Sequence, residues 1–205
     1  MNEINEYNCA VKHFLAKDVS IYNLMKKHKP IYLKKRRNYF VQLCNSIVGQ
    51  QLSVKSASAI RGRFLNYYNN LPTPELVNET DFAVLRSLGL SNAKAKYVKD
   101  LAKQIIDKNI SLKNIGAKSD EEIIDTLTKV KGIGPWTTHM FLMFVLGRKN
   151  ILPTGDLGIK KAIMLNYNLK NLPTGEDISE LSKKNNWNPY NTYACMYLWK
   201  SIDGE

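Results

Sequence analysis

Cysteine is scarce in this sequence, and its three residues are scattered. Cys9, Cys44 and Cys195 stand far apart and form neither a C-x-x-C pair nor a four-cysteine cluster. This spacing excludes the usual zinc-binding and iron–sulfur motifs. Separate thiols are typical of a reducing compartment, so we expect a cytoplasmic protein, or a nuclear one if the source is a eukaryote.

Long apolar runs are also missing. The longest, Met140–Leu146, is far too short to cross a bilayer, and no signal-peptide pattern is present. No segment alternates apolar and polar residues with a period of two, as a half-buried strand would. Apolar residues instead recur at helical spacing, for example over residues 38–49. We therefore predict an all-helical chain.

Acidic residues are few relative to basic ones. The 205 residues include 18 Asp and Glu against 30 Lys and Arg, which gives a formal net charge of +12. Such an excess favours a polyanionic partner such as DNA. Two basic clusters, Lys26–Lys29 and Lys34–Arg37, are either solvated surface or contacts to phosphate.

Two glycines one residue apart, Gly132 and Gly134, separate two predicted helices. The first helix begins at a capping box, Ser119–Glu122, and the second at Pro135, which suits the first helical position. Such a turn directs main-chain N–H groups, including that of Trp136, towards one point beside the positive end of a helix dipole. A DNA phosphate fits that point, but plain helix connections share the pattern. A dinucleotide-binding loop is disfavoured because no strand-like run precedes the turn.

Capping residues place the other helix starts. The predicted N-caps include Ser20, Ser53, Thr80 and Ser91. The helix over residues 135–146 is apolar nearly all round, which predicts that it is central and buried.

A pair of glutamines follows the predicted helix over residues 38–49. Gln50–Leu52 connects that helix to the one capped by Ser53. Amide side chains at this place could bond to bases, or Leu52 could wedge between them. The alternative is an ordinary polar loop.

Asp156 ends the segment Leu152–Asp156 and precedes another predicted helix. Aspartate in this position is most often an N-cap. A carboxylate there could also stabilise positive charge in a reaction, and the helix dipole favours its negative charge. The two roles are compatible.

Four motifs, in this order along the chain, carry a family resemblance. They are Ile47–Ser53, Val130–Thr137, Leu152–Asp156 and Trp187–Ala194. Together they resemble the helix–hairpin–helix (HhH-GPD) superfamily of DNA glycosylases, in particular the alkylpurine, or 3-methyladenine type II, branch. The similarity covers roughly residues 38 to 202 and is most like the short, all-helical members.

The resemblance implies an all-α fold of two helical subdomains with the active-site cleft between them. Residues 34–146 would form a six-helix, barrel-like subdomain that carries the helix–hairpin–helix motif. Residues 1–33 together with 147–205 would form a second helical subdomain that carries Asp156.

The resemblance also assigns roles to single residues. Asp156 matches the catalytic aspartate, and either Gln51 or Leu52 matches the residue that fills the gap left by a flipped nucleotide. Trp136 and Tyr190 match aromatic positions near the base pocket. The DNA-backbone anchor corresponds to Gly132, Gly134, Trp136 and Thr137. The site of a monovalent cation, Na⁺ or K⁺, corresponds to the main-chain carbonyls of Thr128, Val130 and Ile133.

These assignments predict a monofunctional DNA glycosylase that needs no cofactor. Such an enzyme flips a nucleotide out of the duplex and cleaves its glycosidic bond through a transition state with positive charge on the sugar. The lyase branch has a lysine where this chain has Trp136, so no Schiff base is expected. The absence of an obvious second catalytic acid fits an N-alkylated purine, such as 3-methyladenine or 7-methylguanine, which is already cationic.

The expected partner is double-stranded DNA with damaged bases, bound by a monomer. Two alternatives remain open. One is a helix–hairpin–helix DNA-binding protein without catalysis, and the other is a glycosylase for deaminated or oxidised bases.

Overall fold

The computed structural model describes residues 2–202. Over that range the regular structure consists of twelve α-helices and one 3₁₀ helix, with no strand. The prediction of an all-α fold is confirmed. None of the helices in this range is long and apolar enough to cross a membrane.

The chain divides into two compact units. The first unit takes the residues up to Lys35 and those from Leu142 onward, and the second is Arg36–Phe141. The helices of the first unit are α1 (Glu3–Lys17), α2 (Val19–Lys27), α10 (Leu157–Asn166), α11 (Gly175–Lys184) and α12 (Asn191–Ile202). Those of the second unit are α3 (Tyr39–Gly49), α4 (Val54–Tyr67), α5 (Pro74–Glu79), α6 (Phe82–Ser87), α7 (Asn92–Ile106), the 3₁₀ helix Ile115–Ala117 and α8 (Asp120–Leu127). The boundary at residue 141 falls within α9 (Pro135–Phe144).

In the second unit, α7 packs against α3, α5 and α6, and α3 also packs against α4. The apolar face predicted for α3 is buried as a whole, from Phe40 to Val48. Ser53 and Ser91 cap α4 and α7 as predicted, and the capping box at Ser119 is complete. Short-range side-chain bonds therefore fix where these helices begin.

In the first unit, α2 packs against α1 and α12, and α12 also packs against α10. Asp18 joins α1 to α2 and is almost fully buried. Its Oδ2 accepts hydrogen bonds from the Tyr167 hydroxyl at 2.6 Å, the Asn185 amide at 2.9 Å and the Trp187 indole N–H at 2.6 Å. One carboxylate thus ties the start of the chain to residues near its other end. Burial, followed by the hydrogen bond to Asp18, raises the pKa of Tyr167, so its hydroxyl remains a donor.

Two predicted N-caps were wrong. Asp18 caps α2, with its Oδ1 accepting from the Ser20 and Ile21 N–H groups, so the predicted cap Ser20 lies inside the helix. Asp81 occupies the N-cap position of α6, and the predicted cap Thr80 donates instead to the Leu76 carbonyl of α5. In each case two polar residues stood close together, and the local pattern did not show which one takes the N-cap position.

The prediction that the helix over residues 135–146 is central and buried is confirmed for most of its apolar residues and wrong for two of them. Phe141, Leu142 and Met143 are fully buried, but Trp136 is 50% exposed and Phe144 is 38% exposed. Core packing alone therefore does not explain the apolar side chain of Trp136, which is half exposed at the start of α9.

Candidate active site

Asp156 is the N-cap of α10, as the sequence predicted. Its Oδ1 accepts the Ile159 main-chain N–H at 2.8 Å and the Trp199 indole N–H at 2.9 Å. Its own N–H donates to the Pro153 carbonyl at 2.9 Å, which closes a tight turn before the helix. The residue is only 9% exposed. The carboxylate is thus held in one orientation inside the first unit.

Trp199 of α12 is the member of this site that the sequence did not reveal. Its indole lies beside the Phe144 ring, with centroids 6.1 Å apart and an interplanar angle of 30°. A Cβ added to Gly158 would lie 3.0 Å from both Asp156 Oδ1 and Trp199 Cδ1. Glycine at 158 therefore leaves the space that this pair needs. Helical spacing places Trp199 on an apolar stripe, which by itself indicates only packing.

Cys195, also on α12, lies close enough to Asp156 to interact electrostatically with its carboxylate. Burial raises the pKa of the Cys195 thiol well above its usual range, and the negative charge of Asp156 raises it further. The thiol therefore stays protonated at neutral pH. A protonated, buried thiol is a poor nucleophile, so Cys195 is not suited to nucleophilic catalysis at this site.

Tyr190 lies among partners different from those of Asp156. Its ring contacts His13 and Tyr193, with centroids 5.1 and 6.0 Å away, and Lys149 Nζ lies 5.3 Å from its centroid. Lys149 is also paired with Glu6 at 3.2 Å. A cation therefore already occupies the place at this ring where a cationic base would stack. The base-pocket role of Tyr190 stays a prediction.

The glycine turn lies in the second unit, between α8 and α9. Gly132 has φ +85°, and a Cβ on it would lie 2.2 Å from the Tyr97 ring. Both facts require glycine at this position. Gly134 differs, because a Cβ on it would meet nothing within 4 Å. The fold therefore requires glycine at position 132. At position 134 it does not, and the surface there is open.

Gln50 holds this turn in place. Its Nε2 donates to the Gly132 carbonyl at 2.8 Å and to Thr137 Oγ1 at 3.3 Å. The Thr137 side chain is buried against Gln50, so only its main chain is suited to the DNA anchor predicted for it. The sequence indicated that the two glutamines are unusual, but it did not predict that Gln50 forms hydrogen bonds within the fold.

The next two residues of the connector differ from Gln50. Gln51 is exposed and has φ +54°, and Leu52 is 37% exposed. A left-handed conformation in a residue other than glycine is uncommon and is often found at functional sites. The connector therefore presents Gln51 and Leu52 at the surface, as a residue inserted into DNA requires.

A cavity of about 830 Å³ in the second unit brings several of these residues together. Its lining includes Gln51, Leu52, Trp136, Arg61 and Lys94, and no carboxylate is among the described residues that line it. Lys94 Nζ donates to the Val48 carbonyl at 2.9 Å, and Arg61 Nε donates to the Asn45 carbonyl at 2.9 Å. Burial and then the charge of Arg61 lower the pKa of Lys94. Positive charge and aromatic surface thus adjoin the glutamine connector.

The main-chain carbonyls predicted to bind a cation lie in the same turn. The Ile133 N–H donates to the Val130 carbonyl at 3.1 Å, and that oxygen has a second lone pair. Carbonyl oxygens suit hard cations, so Thr128, Val130 and Ile133 fit a monovalent ion in donor type. Within residues 2–202, no group of three or more His, Cys, Asp or Glu side chains is placed to bind a metal.

Comparison with known proteins identifies the fold family. The model of the HhH-GPD superfamily base excision DNA repair proteins matches residues 44–188. The chain belongs to this family. The match includes the glycine turn, the glutamine connector and Asp156.

Individual members of the HhH-GPD family are similar over most of this chain. DNA-3-methyladenine glycosylase 1 of Schizosaccharomyces pombe is 34% identical over 181 residues, covering 87% of this chain and 78% of the relative. The structure of the S. pombe 3-methyladenine DNA glycosylase Mag1 in complex with abasic DNA superposes with a TM-score of 0.80 at 32% identity, covering 94% of this chain and 95% of that one. YfjP of Bacillus subtilis is 34% identical over 196 residues. The aligned region covers 92% of this chain and 61% of that protein.

Proposed function

We propose that this HhH-GPD protein is a monofunctional DNA glycosylase that removes N-alkylated purines, such as 3-methyladenine and 7-methylguanine, from double-stranded DNA. The observation that carries the proposal is the buried Asp156 carboxylate, oriented by the N–H groups of Ile159 and Trp199. The substrate class is supported by the S. pombe relative, which is named a DNA-3-methyladenine glycosylase.

The proposed reaction breaks the C1′–N bond of a nucleotide that has been flipped out of the duplex. The bonding electrons leave with the purine, which becomes neutral because alkylation had made it cationic. The sugar gains positive charge, which the Asp156 carboxylate stabilises. Water then adds to C1′ and gives up a proton, with Asp156 in a position to orient or deprotonate it. The products are a free base and an abasic site.

The second unit supplies the groups proposed to bind the DNA. The main-chain N–H groups at the Gly132–Gly134 turn and at the start of α9 bind phosphate, since the positive end of a helix dipole favours an anion. Gln51 and Leu52 fill the gap left by the flipped nucleotide. The exposed Trp136 stacks on the cationic base, which contributes about 1–2 kcal/mol where water is excluded. The carbonyls of Thr128, Val130 and Ile133 would hold a monovalent cation that fixes the turn.

The two glycines of the turn provide a test of the phosphate contact. Gly134→Ala is expected to leave the melting temperature unchanged, because a Cβ there meets open space. It should nevertheless weaken binding to duplex DNA about tenfold, since the methyl group keeps a phosphate away from the main chain. Gly132→Ala should lower both stability and binding, because its φ and the Tyr97 ring exclude a side chain. Fluorescence anisotropy and thermal melting measure the two effects, and a Gly134→Ala variant with wild-type affinity would place the phosphate elsewhere.

Monofunctional chemistry predicts abasic sites without strand breaks. Methylated duplex DNA incubated with the protein should be cut at purines only after treatment with alkali, and borohydride should trap no covalent complex. The lysine to examine is Lys94, which lines the same cavity as Trp136 and whose pKa is lowered by burial. Its Nζ is engaged by the Val48 carbonyl. Nicking without alkali that disappears in Lys94→Met would show a lyase and refute this part of the proposal.

A further inference from the structure

We infer that Trp199 is a positioning residue for the Asp156 carboxylate, which it holds ready for base release. The inference rests on the proposed function, because it concerns the same site and the same reaction. Trp199 belongs to none of the four sequence motifs that carry the resemblance to the family.

The geometry gives the carboxylate two donors from two different helices. The Ile159 N–H comes from the first turn of α10, which Asp156 itself caps, at 2.8 Å from Oδ1. The Trp199 indole N–H comes from α12 and reaches the same oxygen at 2.9 Å. Both bonds end on Oδ1. Two donors from different directions restrain the orientation of the carboxylate more than the N-cap bond alone.

The surroundings of Trp199 support this role. The Phe144 ring lies against the indole at a centroid distance of 6.1 Å, which restrains its plane. Gly158 lies within α10, where glycine is less favourable to the helix than alanine. A Cβ there would come within 3.0 Å of Asp156 Oδ1 and of the indole Cδ1. The helix therefore contains glycine, which has a low helix propensity, at the position where a methyl group would collide with the Asp156–Trp199 pair.

The role of the indole N–H can be separated from that of the ring that carries it. A hydrogen bond to an ionised acceptor is stronger than one between neutral groups. Removing the indole donor should therefore loosen the orientation of the Asp156 carboxylate and slow base release without weakening the binding of DNA. A tryptophan that served only to pack the core would not separate the rate from the affinity in this way.

The test compares Trp199→Phe with a matched variant on the same helix, Tyr197→Phe. Tyr197 is buried and its hydroxyl bonds to the Ile31 N–H and the Lys29 carbonyl, so Tyr197→Phe also removes a buried polar group from α12. Single-turnover release of 7-methylguanine from methylated duplex DNA is measured at neutral pH, with DNA affinity measured in parallel. Trp199→Phe should lower the rate about 10- to 100-fold and leave the affinity for DNA within about twofold. Tyr197→Phe should leave both the rate and the affinity as in the wild type.

A Trp199→Phe variant with the wild-type rate overturns the inference, and so does an equal loss in both variants. If Trp199→Phe does not fold, Gly158→Ala disturbs the same hydrogen bond from the other side and should also lower the rate without changing the affinity for DNA. A wild-type rate in Gly158→Ala, with a lengthened bond in its crystal structure, also overturns the inference. A wild-type protein that releases no alkylated base from DNA contradicts the proposed function instead.

Discussion

Asp156→Asn is expected to keep DNA binding and to slow the release of alkylated purines by about a hundredfold to a thousandfold. Asparagine retains an oxygen that accepts the Ile159 and Trp199 N–H groups, and it is a good N-cap, so the fold and α10 should persist. The negative charge that stabilises the sugar is lost. Single-turnover release from methylated DNA measures the effect, and thermal melting confirms that the variant is folded.

Asp177→Asn is a suitable control for this prediction. Asp177 is an exposed carboxylate at the start of α11 in the same unit, where it accepts the Thr174 N–H at 2.8 Å. Its neutralisation removes the same charge from a helix N-terminus without touching Asp156. Equal losses of activity in the two variants would mean that net charge, and not the Asp156 carboxylate, drives the reaction. Full activity in Asp156→Asn would leave a DNA-binding role for Asp156 at most and would eliminate the mechanism.

Asp18→Ala is expected to have the largest effect on stability, a loss of about 3–5 kcal/mol. The substitution removes the acceptor for three side-chain donors, those of Tyr167, Asn185 and Trp187, of which the Trp187 side chain is fully buried. It also removes the N-cap of α2. Donors left without an acceptor pay the full penalty of desolvation. The melting temperature should fall by about 10 °C or more for a chain of this size.

The matching control is Asp177→Ala, which also removes an N-terminal carboxylate from a helix in the first unit. Asp177 is exposed and its side chain accepts hydrogen bonds from the N–H and hydroxyl groups of Thr174, so water replaces the lost hydrogen bonds. Its melting temperature should stay close to that of the wild type. A similar shift in both variants would show that the buried Asp18 cluster contributes no more than an ordinary helix cap.

Sequence reasoning succeeded where the decisive contacts lie within a few residues. The capping box at Ser119 joins residues three apart, and the N-cap role of Asp156 depends on Ile159, three residues later. The glycine turn is similar, because the positive φ of Gly132 is a property of its own main chain. Patterns at such distances follow directly from helix geometry.

Sequence reasoning failed where a residue's role depends on a partner far along the chain. Trp199 meets Asp156 across 43 residues, and Trp187 meets Asp18 across 169. Gln50 bonds to Gly132, 82 residues away, so the sequence did not distinguish the structural role of Gln50 from the exposed position of Gln51. Helical spacing identifies which face of an element is apolar, but it does not say which polar atom on that face finds a partner.

Cleavage of the glycosidic bond of alkylated purines through Asp156 is the proposal on which the other predictions about activity depend. It is tested by chromatographic identification of the bases that the wild-type protein releases from methylated duplex DNA under single-turnover conditions, with Asp156→Asn run in parallel. We expect free 3-methyladenine and 7-methylguanine from the wild type and almost none from the variant in the same time. A wild-type protein that binds this DNA but releases neither base, or a variant that releases them at the wild-type rate, would contradict it.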